Sequence, residues 1–436
     1  MRLLRAADMH KTERSARVSL EKFSLENYRC FRDRQEVELG RITVVLGRNN
    51  SGKSAVVRSL PILASGFSTD SPYPLDLNPV QGPAPLFTDL IHGSSPHGRI
   101  GLGVEVLTRD DRVITVDANI QNIADHRIQL VSELQIAQNG QRRSFSWVPG
   151  PDAYFAQGRT YHDGKDTCRM TFRGLLPDGG GSFGFVSDAG EVTELVRESF
   201  DEVRYQGPLR EVPRRFFQAS SRASRTVGHR GERALSMLAA HEADPGRMVE
   251  EVNRLLESML PGWRLALTDL GSDIYMPRLH STRNPDLFVH IDDVGTGVIQ
   301  FLPLLVQRAA DRVNPPAMSV IEVVEEPELH LHPSAHASIA DLYIDAAQNS
   351  SVRFMVETHS ENFLLRLRRR VAEGRLAPED LKVYFVEQVS GSSQLRKIEV
   401  DRLGNIDYWP AGVFSEDFEE IKALAHAQVN RARDEG

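Results

Sequence analysis

The chain has 436 residues, of which 40% are hydrophobic, and this length allows about two or three units of domain size with buried cores. Its formal net charge of −8 excludes a globally basic surface, so any contact with nucleic acid has to come from a local patch. The two cysteines, Cys30 and Cys168, match no metal-binding spacing, and no apolar run approaches the roughly 20 residues of a membrane span. We therefore expect a soluble cytoplasmic protein with no membrane partner.

The N-terminal elements begin after a polar segment. Residues 1–17 show no periodicity and are expected to form a disordered tail. Strand-like alternation starts at Ser19, and the apolar run Ile42–Leu46 predicts a buried strand with a helix beginning near Ala55. Residues 61–98 are rich in Pro, Gly and Ser, which predicts irregular loops.

The middle of the chain predicts two different lobes. Residues 99–187 alternate as strands do, and Asn139-Gly140 between two such runs indicates a hairpin, because both residues tolerate positive φ. Residues 230–260 carry apolar side chains at helical spacing. We expect a β-rich lobe followed by a helical lobe.

The C-terminal part, from about residue 287 to 387, alternates buried strands with helices. Near-continuous apolar strands of this kind are typical of a mostly parallel sheet covered on both faces. The predicted strands are Met318–Val324, Arg353–Val356 and Val383–Val386, and the predicted helices are Ala335–Ala347 and Asn362–Ala372. The fold class predicted is α/β.

A glycine-rich loop at 47–54, with the sequence GRNNSGKS, is the most informative motif. It lies between a predicted strand and a predicted helix, where backbone N–H groups and the helix N-terminus can surround a polyphosphate. Lys53 is expected to reach the β- and γ-phosphates, and the Ser54 hydroxyl is expected to bind Mg²⁺. The predicted nucleotide-binding residues are Gly47, Arg48, Asn49, Asn50, Ser51, Gly52, Lys53 and Ser54.

Two adjacent carboxylates, Glu325 and Glu326, follow the apolar strand Val320–Val324. At the tip of a strand beside a phosphate loop, Glu325 can hold the metal through water and Glu326 can polarise an attacking water. The alternative is a solvated acidic loop.

A histidine, His359, ends the next predicted strand in the sequence ETHS. It can hydrogen-bond a γ-phosphate and respond to its loss. The alternative is a histidine that caps the following helix, although Ser360 is itself a suitable N-cap.

Four motifs in a fixed order carry a family resemblance: GRNNSGKS at 47–54, DVGTGVIQ at 293–300, VVEEPELHLHP at 323–333 and ETHS at 357–360. The order resembles the ABC-type ATPases of the RecF/SMC and OLD (overcoming lysogenization defect) group. It is most similar to short-armed bacterial members, including phage-defence relatives, that have an EPELHLHP block and a C-terminal Trp-Pro pair, here Trp409-Pro410.

The resemblance implies a role for each motif residue. Lys53, Glu326 and His359 would be catalytic, as phosphate-loop lysine, base and switch histidine, while Ser54 and Glu325 would bind the metal. The segment 293–300 stands at the signature position but departs from LSGGQ, with Gly295 replacing the serine. Its implied nucleotide-binding residues are Gly295, Thr296 and Gly297.

The resemblance also implies the architecture and the cofactors. It implies a P-loop NTPase of ABC type, with a mostly parallel core, an antiparallel β-rich lobe and a helical signature lobe. Residues 18–436 would form the ATPase domain, and 61–284 its inserted lobes. The expected cofactors are ATP and Mg²⁺, and two copies would form a head-to-tail homodimer around two ATP molecules.

Several biological roles remain open. The ATPase would act as a switch or motor in phage defence or DNA metabolism with an effector encoded nearby. Alternatively it would be an ATP-gated scaffold restraining a nuclease or toxin, or a RecF-like DNA repair ATPase. An arginine-rich stretch keeps nucleic acid open as a partner; it comprises Arg204, Arg210, Arg214, Arg215, Arg222, Arg225, Arg230 and Arg233.

The histidines His330, His332 and His336 allow a zinc alternative. We do not favour it, because a His pair at i, i+4 spacing lacks the third ligand that catalytic zinc requires.

Overall fold

A computed structural model describes residues 18–68, 73–77, 86–150, 158–178, 189–219, 224–239, 245–409, 423–424 and 427–428. The predicted tail at 1–17 and Pro410 of the Trp-Pro pair lie outside these residues. The mixed α/β class predicted from the sequence is confirmed.

The N-terminal segment contains three strands and a long helix. The elements are β1 (Ser19–Glu26), β2 (Gln35–Glu38), β3 (Ile42–Gly47), α1 (Lys53–Ser68) and the short α2 (Phe87–Leu90). Helix α1 continues through Pro61 into the region predicted as loops, so that prediction is wrong for 61–68. The reason is packing: Ile62, Leu63 and Phe67 are buried in the core, and this burial outweighs the cost of an interior proline.

The next strands extend β1 and β2 into an eight-stranded sheet of order β2-β1-β4-β5-β6-β7-β8-β9. Asn139 (φ 52°) and Gly140 (φ 78°) form the predicted hairpin turn between β6 and β7. The predicted β-rich region thus shares a sheet with the N-terminal strands. Its elements are β4 (Arg99–Leu107), β5 (Val113–Ile123), β6 (Ile128–Gln138), β7 (Gln141–Trp147), β8 (Arg159–His162), β9 (Thr167–Met170), β10 (Phe172–Arg173) and β11 (Leu176–Pro177).

A helical lobe with a small sheet follows. One hydrophobic cluster joins its helices to its strands, with Leu238, Val252, Leu265, Leu279 and Leu305 among the buried members. The elements in this part of the chain are α3 (Ala189–Ser199), β12 (Glu202–Gln206), β13 (Phe217–Gln218), α4 (Ala234–Ala239), α5 (Pro245–Leu256), β14 (Trp263–Asp269), β15 (Ile274–Ser281), β16 (Phe288–His290) and α6 (Thr296–Val313).

The C-terminal part completes a six-stranded central sheet of order β12-β17-β18-β3-β19-β20. Every neighbouring pair is parallel except β19 and β20. Strand β12 and the end of α1 come from 61–284, so the segment expected to form inserted lobes also contributes to the central layer. The remaining elements are β17 (Val320–Glu325), α7 (Pro333–Asn349), β18 (Val352–Glu357), α8 (Glu361–Ala372), β19 (Leu381–Val389) and β20 (Ser392–Ile398).

The register of this sheet aligns three strand ends. Glu325 of β17 pairs with Glu357 of β18, and Glu357 pairs with Val45 of β3. Because the carboxyl ends of parallel strands meet at one edge, the glycine-rich loop and the chain after Glu325 and Glu357 leave the sheet together.

A buried ion network connects α6 to the central sheet. Arg308 on α6 is paired with Glu322 of β17, and Arg204 Nη1 of β12 lies 2.7 Å from Asp311 Oδ1 on α6. All four side chains are buried. Buried charges of this kind are tolerated only when each has its partner, so the network fixes α6 against β12 and β17.

We expect Arg308→Ala to lower the free energy of unfolding by about 3–5 kcal/mol, because it leaves Glu322 as a buried carboxylate without its main partner. The control is Arg312→Ala on the same helix, whose side chain is 27% exposed and pairs with Glu251. That change should cost no more than about 1 kcal/mol. Urea denaturation followed by circular dichroism measures both free energies of unfolding. Equal losses in the two variants would show that the buried network stabilises the fold no more than a surface ion pair does.

Candidate functional site

The loop at 47–54 has two positions that only glycine suits. Gly47 (φ 153°) and Gly52 (φ 111°) adopt conformations that side-chain-bearing residues rarely adopt. A Cβ at Gly47 would lie 2.7 Å from both Ser51 Oγ and Val386 O, and one at Gly52 would lie 2.4 Å from Cys30 Sγ. The glycines therefore set the path of the loop.

Lys53 is folded back on this loop, where its Nζ donates a hydrogen bond to the carbonyl of Arg48 at 2.8 Å. Burial lowers the pKa of Lys53, while the charges of Glu357 and Glu326 act in the opposite direction. Ser51 Oγ is buried and, among the described residues, has no hydrogen-bond partner. The exposed loop residues are Arg48, Asn49 and Asn50.

Glu325, predicted to bind the metal, lies against an arginine. Arg58 Nε and Nη2 donate to Glu325 Oε1 and Oε2, each at 2.6 Å, and the Tyr205 hydroxyl also donates to Oε1 at 2.9 Å. Such a two-pronged contact is among the stronger hydrogen-bonded ion pairs. Both oxygens of Glu325 are therefore engaged, and its assignment to the metal stays a prediction.

Glu357 is the carboxylate that the structure places next to Ser54. Ser54 Oγ donates to Glu357 Oε1 at 2.9 Å, and Glu357 Oε2 is buried with no hydrogen-bond partner in the described part of the chain. Burial, aided by the charge of Glu325, raises the pKa of Glu357 to about 7. The sequence reasoning missed Glu357, although its position two residues before His359, at the end of the neighbouring strand, was a usable indication.

Glu326 has an unusual backbone conformation at the strand tip, with φ 43°. Its N–H donates to Glu357 O at 2.8 Å, and its carbonyl accepts from Arg210 Nη1 at 3.1 Å. Residues other than glycine are strained when their backbone has a positive φ, and such residues concentrate at functional sites. Here the conformation turns the chain at the end of β17.

His359 lies close to this turn, with its Nε2 at 3.8 Å from Glu326 Oε1. Burial and the positive charge of Lys53 lower the pKa of His359, so the neutral imidazole is favoured at neutral pH. Glu326, Glu357 and His359 each offer a ligand atom within 4.8 Å of the others. Ser360, not His359, caps α8, since its Oγ accepts from the N–H of Phe363 at 3.0 Å.

Glu328 holds the segment that carries His359. Its Oε1 accepts from Thr358 Oγ1 at 2.6 Å and from the N–H of His359 at 2.8 Å. The side chain is buried, and burial raises its pKa. Sequence reasoning did not assign this residue, because the spacing alone does not show that Glu328 points back to the end of β18.

The predicted signature residues lie at the start of α6. Gly295 is the N-cap, Thr296 begins the helix, and both are exposed. A Cβ at Gly297 would lie 3.0 Å from His330 O, so α6 approaches the chain after β17 closely at this point. The structure gives no hydrogen bond between 295–297 and 47–54, two segments that it describes in full. It therefore groups Lys53, Ser54, Glu326 and His359, and leaves the signature segment outside that group.

Part of the arginine-rich stretch is used inside the molecule. Arg204 and Arg210 are buried, and Arg215 donates to Asp293 at 2.6 Å. Arg222 lies outside the described residues. Buried arginines cannot contact a phosphate backbone, but five other members of the stretch are exposed, so a smaller basic patch than the sequence indicated remains open to nucleic acid.

The histidines considered for zinc do not form a metal group within the described ranges. His332 is the N-cap of α7, and His336 Nδ1 lies 2.8 Å from Ser360 Oγ. Within the same ranges, no helix combines the length and the apolar character that crossing a membrane demands.

We expect Glu328→Ala to lower the free energy of unfolding by about 1–3 kcal/mol, because the buried hydroxyl of Thr358 and the partly buried N–H of His359 lose their acceptor. The matched variant Glu328→Gln keeps an oxygen at Oε1 and should retain most of that stability. Chemical denaturation distinguishes them. Equal destabilisation by both variants would argue against a role for these two hydrogen bonds.

Comparison with protein families gives two matches. A family described as an AAA ATPase domain matches residues 19–137 and 269–364, which include the glycine-rich loop, Glu325, Glu326 and His359. A protein family of unknown function (DUF3696) matches residues 376–424. A search of curated proteins found no match.

The solved structures that are similar to this chain include heads of SMC proteins. An SMC head bound to the C-terminal winged-helix domain of ScpA has 13% identity and a TM-score of 0.52, covering 88% of this chain and 98% of that chain. The SMC head of Thermotoga maritima has 12% identity and a TM-score of 0.44, covering 88% and 100%. A head from Pyrococcus furiosus, bound to the C-terminal domain of ScpA, has 12% identity and a TM-score of 0.48, covering 88% and 96%.

The first of these similarities shows the fold of an SMC head, and the family match shows an AAA ATPase domain over the segments that build the site. Together these findings support the resemblance to ABC-type ATPases of the RecF/SMC group.

Proposed function

We propose that the chain binds ATP with Mg²⁺ at the loop 47–54 and hydrolyses it. The observation that carries the proposal is the grouping of Lys53 and Ser54 with Glu326, Glu357 and His359 at one edge of the parallel sheet. A cation, a hydroxyl, carboxylates and a neutral imidazole are the groups that phosphoryl transfer to water uses. The match to the AAA ATPase family supports the same activity.

The loop has the properties of a phosphate site. Two glycines leave no side chain in the way of an approaching anion, and α1, with 16 residues, begins at Lys53 and directs its N-terminus at the loop. The buried Ser51 hydroxyl can donate to a phosphate oxygen. Among the described residues, the hydrogen-bond acceptor of Lys53 Nζ is the carbonyl of Arg48, and Lys53 can exchange that acceptor for a phosphate.

The side chains then divide the chemistry. Lys53 supplies positive charge to the phosphates, and the Ser54 hydroxyl faces the cation, which neutralises phosphate charge when bound. Glu326 accepts a proton from the attacking water as general base. His359, as a neutral imidazole, hydrogen-bonds the terminal phosphate. Glu325 keeps its predicted role near the metal only if Arg58 releases it.

We infer a homodimer from the signature segment. Gly295 and Thr296 are exposed at the N-terminus of an 18-residue helix, an arrangement suited to an anion presented by another molecule. In a head-to-tail pair, each signature would complete the nucleotide site of the partner. Residues 18–436 would form one ATPase domain, with most of 61–284 serving as lobes.

We place this switch together with a partner effector, in phage defence or DNA metabolism. One solved SMC head of similar fold is bound to a domain of ScpA, which supports partner docking by heads of this shape. A non-motor scaffold that restrains an effector, or a RecF-like repair ATPase, would be the alternatives. Measuring ATP turnover with and without duplex DNA separates them, because stimulation by DNA favours repair.

We expect Lys53→Ala to weaken ATP binding at least about tenfold, because the phosphates lose their buried cation. Isothermal titration calorimetry with Mg²⁺ and ATP measures this. Lys165→Ala, in an exposed turn, is the control and should bind as the parent does. Equal affinity of the Lys53 variant and the parent would remove the central claim.

We expect Glu326→Gln to bind ATP but to lower kcat by about 100-fold or more, because the general base is lost. If hydrolysis opens the dimer, the variant with ATP should have the mass of a dimer in light scattering after size-exclusion chromatography. Turnover at the parent rate would show that Glu326 is not the base.

A further inference from the structure

The structure assigns the direct metal-binding carboxylate to Glu357, at the end of β18, and gives Glu325 the separate role of anchoring Arg58. The inference rests on the proposed function, because the cation in question is the Mg²⁺ that accompanies ATP. It changes which strand supplies the metal ligand.

Glu325 is poorly suited to bind the metal because both of its carboxylate oxygens already accept hydrogen bonds. It is 1% exposed, both of its oxygens accept from Arg58, and Tyr205 donates to one of them. Freeing it would leave the Arg58 guanidinium in a half-buried position without its carboxylate, which is costly.

Glu357 has the opposite character. It is 3% exposed, and its Oε2 has no hydrogen-bond partner among the described residues. A buried carboxylate oxygen without a donor is unfavourable in a folded protein and calls for a missing partner. A cation bound by the carboxylate offsets the negative charge that its two oxygens share, so no donor to Oε2 is needed.

The distance between Ser54 and Glu357 suits one shared ion. Their Oγ and Oε1 atoms lie 2.9 Å apart. Two oxygens bound side by side to an octahedral Mg²⁺, each at about 2.1 Å, lie about 3.0 Å from one another. An ion can therefore replace the hydrogen bond between them with little movement of either side chain.

The surrounding groups fit the same position. Glu326 and His359 offer ligand atoms within 4.8 Å of Glu357, close enough to hold water molecules on the ion. Lys53 is buried nearby with its Nζ at the carbonyl of Arg48, and it would face the phosphate side. The ion would thus lie between Ser54 and Glu357, with the base beside it.

The test uses Mn²⁺ as the probe, titrated into full-length protein with a non-hydrolysable ATP analogue and followed by electron paramagnetic resonance of the free ion. We expect Glu357→Gln to weaken Mn²⁺ binding at least tenfold, because the ion loses a charged ligand. Glu325→Gln should change it less than threefold. The control is Glu379→Gln, which should bind Mn²⁺ as the parent does. Glu379 is exposed and lies just before the start of β19, at the end of the sheet away from the site.

A second measurement separates ligation from a structural role. The melting temperature of Glu357→Gln in EDTA should equal or exceed that of the parent, because an unsatisfied buried charge is removed while Ser54 keeps its acceptor. A lower melting temperature with unchanged Mn²⁺ affinity would overturn the assignment. Loss of Mn²⁺ binding in Glu325→Gln alone would also overturn it.

Failure of the proposed function and failure of the Glu357 assignment give different results. If the parent binds no nucleotide analogue with Mn²⁺ or Mg²⁺, the proposed function itself fails. If the parent binds both and Glu357→Gln binds both equally well, only the assignment of Glu357 fails.

Discussion

The parallel pairing of β3, β18 and β17 is the constraint on which the site depends. Its register puts Glu325 beside Glu357 and Glu357 beside Val45, so the three strands end at one level. The loop at 47–54 lies more than 250 residues before the turns that follow β17 and β18. The sheet brings these segments together, so their convergence does not depend on contacts between the loop and the turns. Sheet hydrogen bonds, not the loop itself, define the site.

Convergence of this kind brings like charges together, and the surrounding residues offset part of the cost. Glu325 and Glu357 are both buried at adjacent strand ends. Arg58 neutralises Glu325, and Arg210 donates to the backbone carbonyls at 325 and 326, whereas within the described residues the side-chain donor to Glu357 is the Ser54 hydroxyl. One carboxylate is thus stabilised by an arginine, and the other is the one to which we assign the cation. A buried carboxylate such as Glu357 lowers the stability of the fold, and binding sites commonly lose some stability in this way because function requires it.

The sequence predicted the strands and the loop well, because burial on both faces leaves long apolar runs and the loop needs its glycines. Strand β17 was expected at Met318–Val324 and lies at Val320–Glu325. Helix α1 was expected to give way to loops at 61, since proline and glycine have low helix propensity, yet tertiary packing continues it to Ser68. The partners of Glu325, Glu357 and Glu328 could not be predicted, because they depend on side-chain direction across neighbouring strands.

The ion network on α6 gives the signature segment a mechanical connection to this edge. The helix that begins at Thr296 carries Arg308, which pairs with Glu322, three residues before Glu325 on β17. Since a buried pair tolerates little separation of its charges, a displacement of α6 along its axis must be accompanied by β17 or break the pair. A partner that docks on the exposed start of α6 would therefore also act on β17, the strand directly before Glu326. The buried ion pair between Arg308 and Glu322 would transmit the displacement.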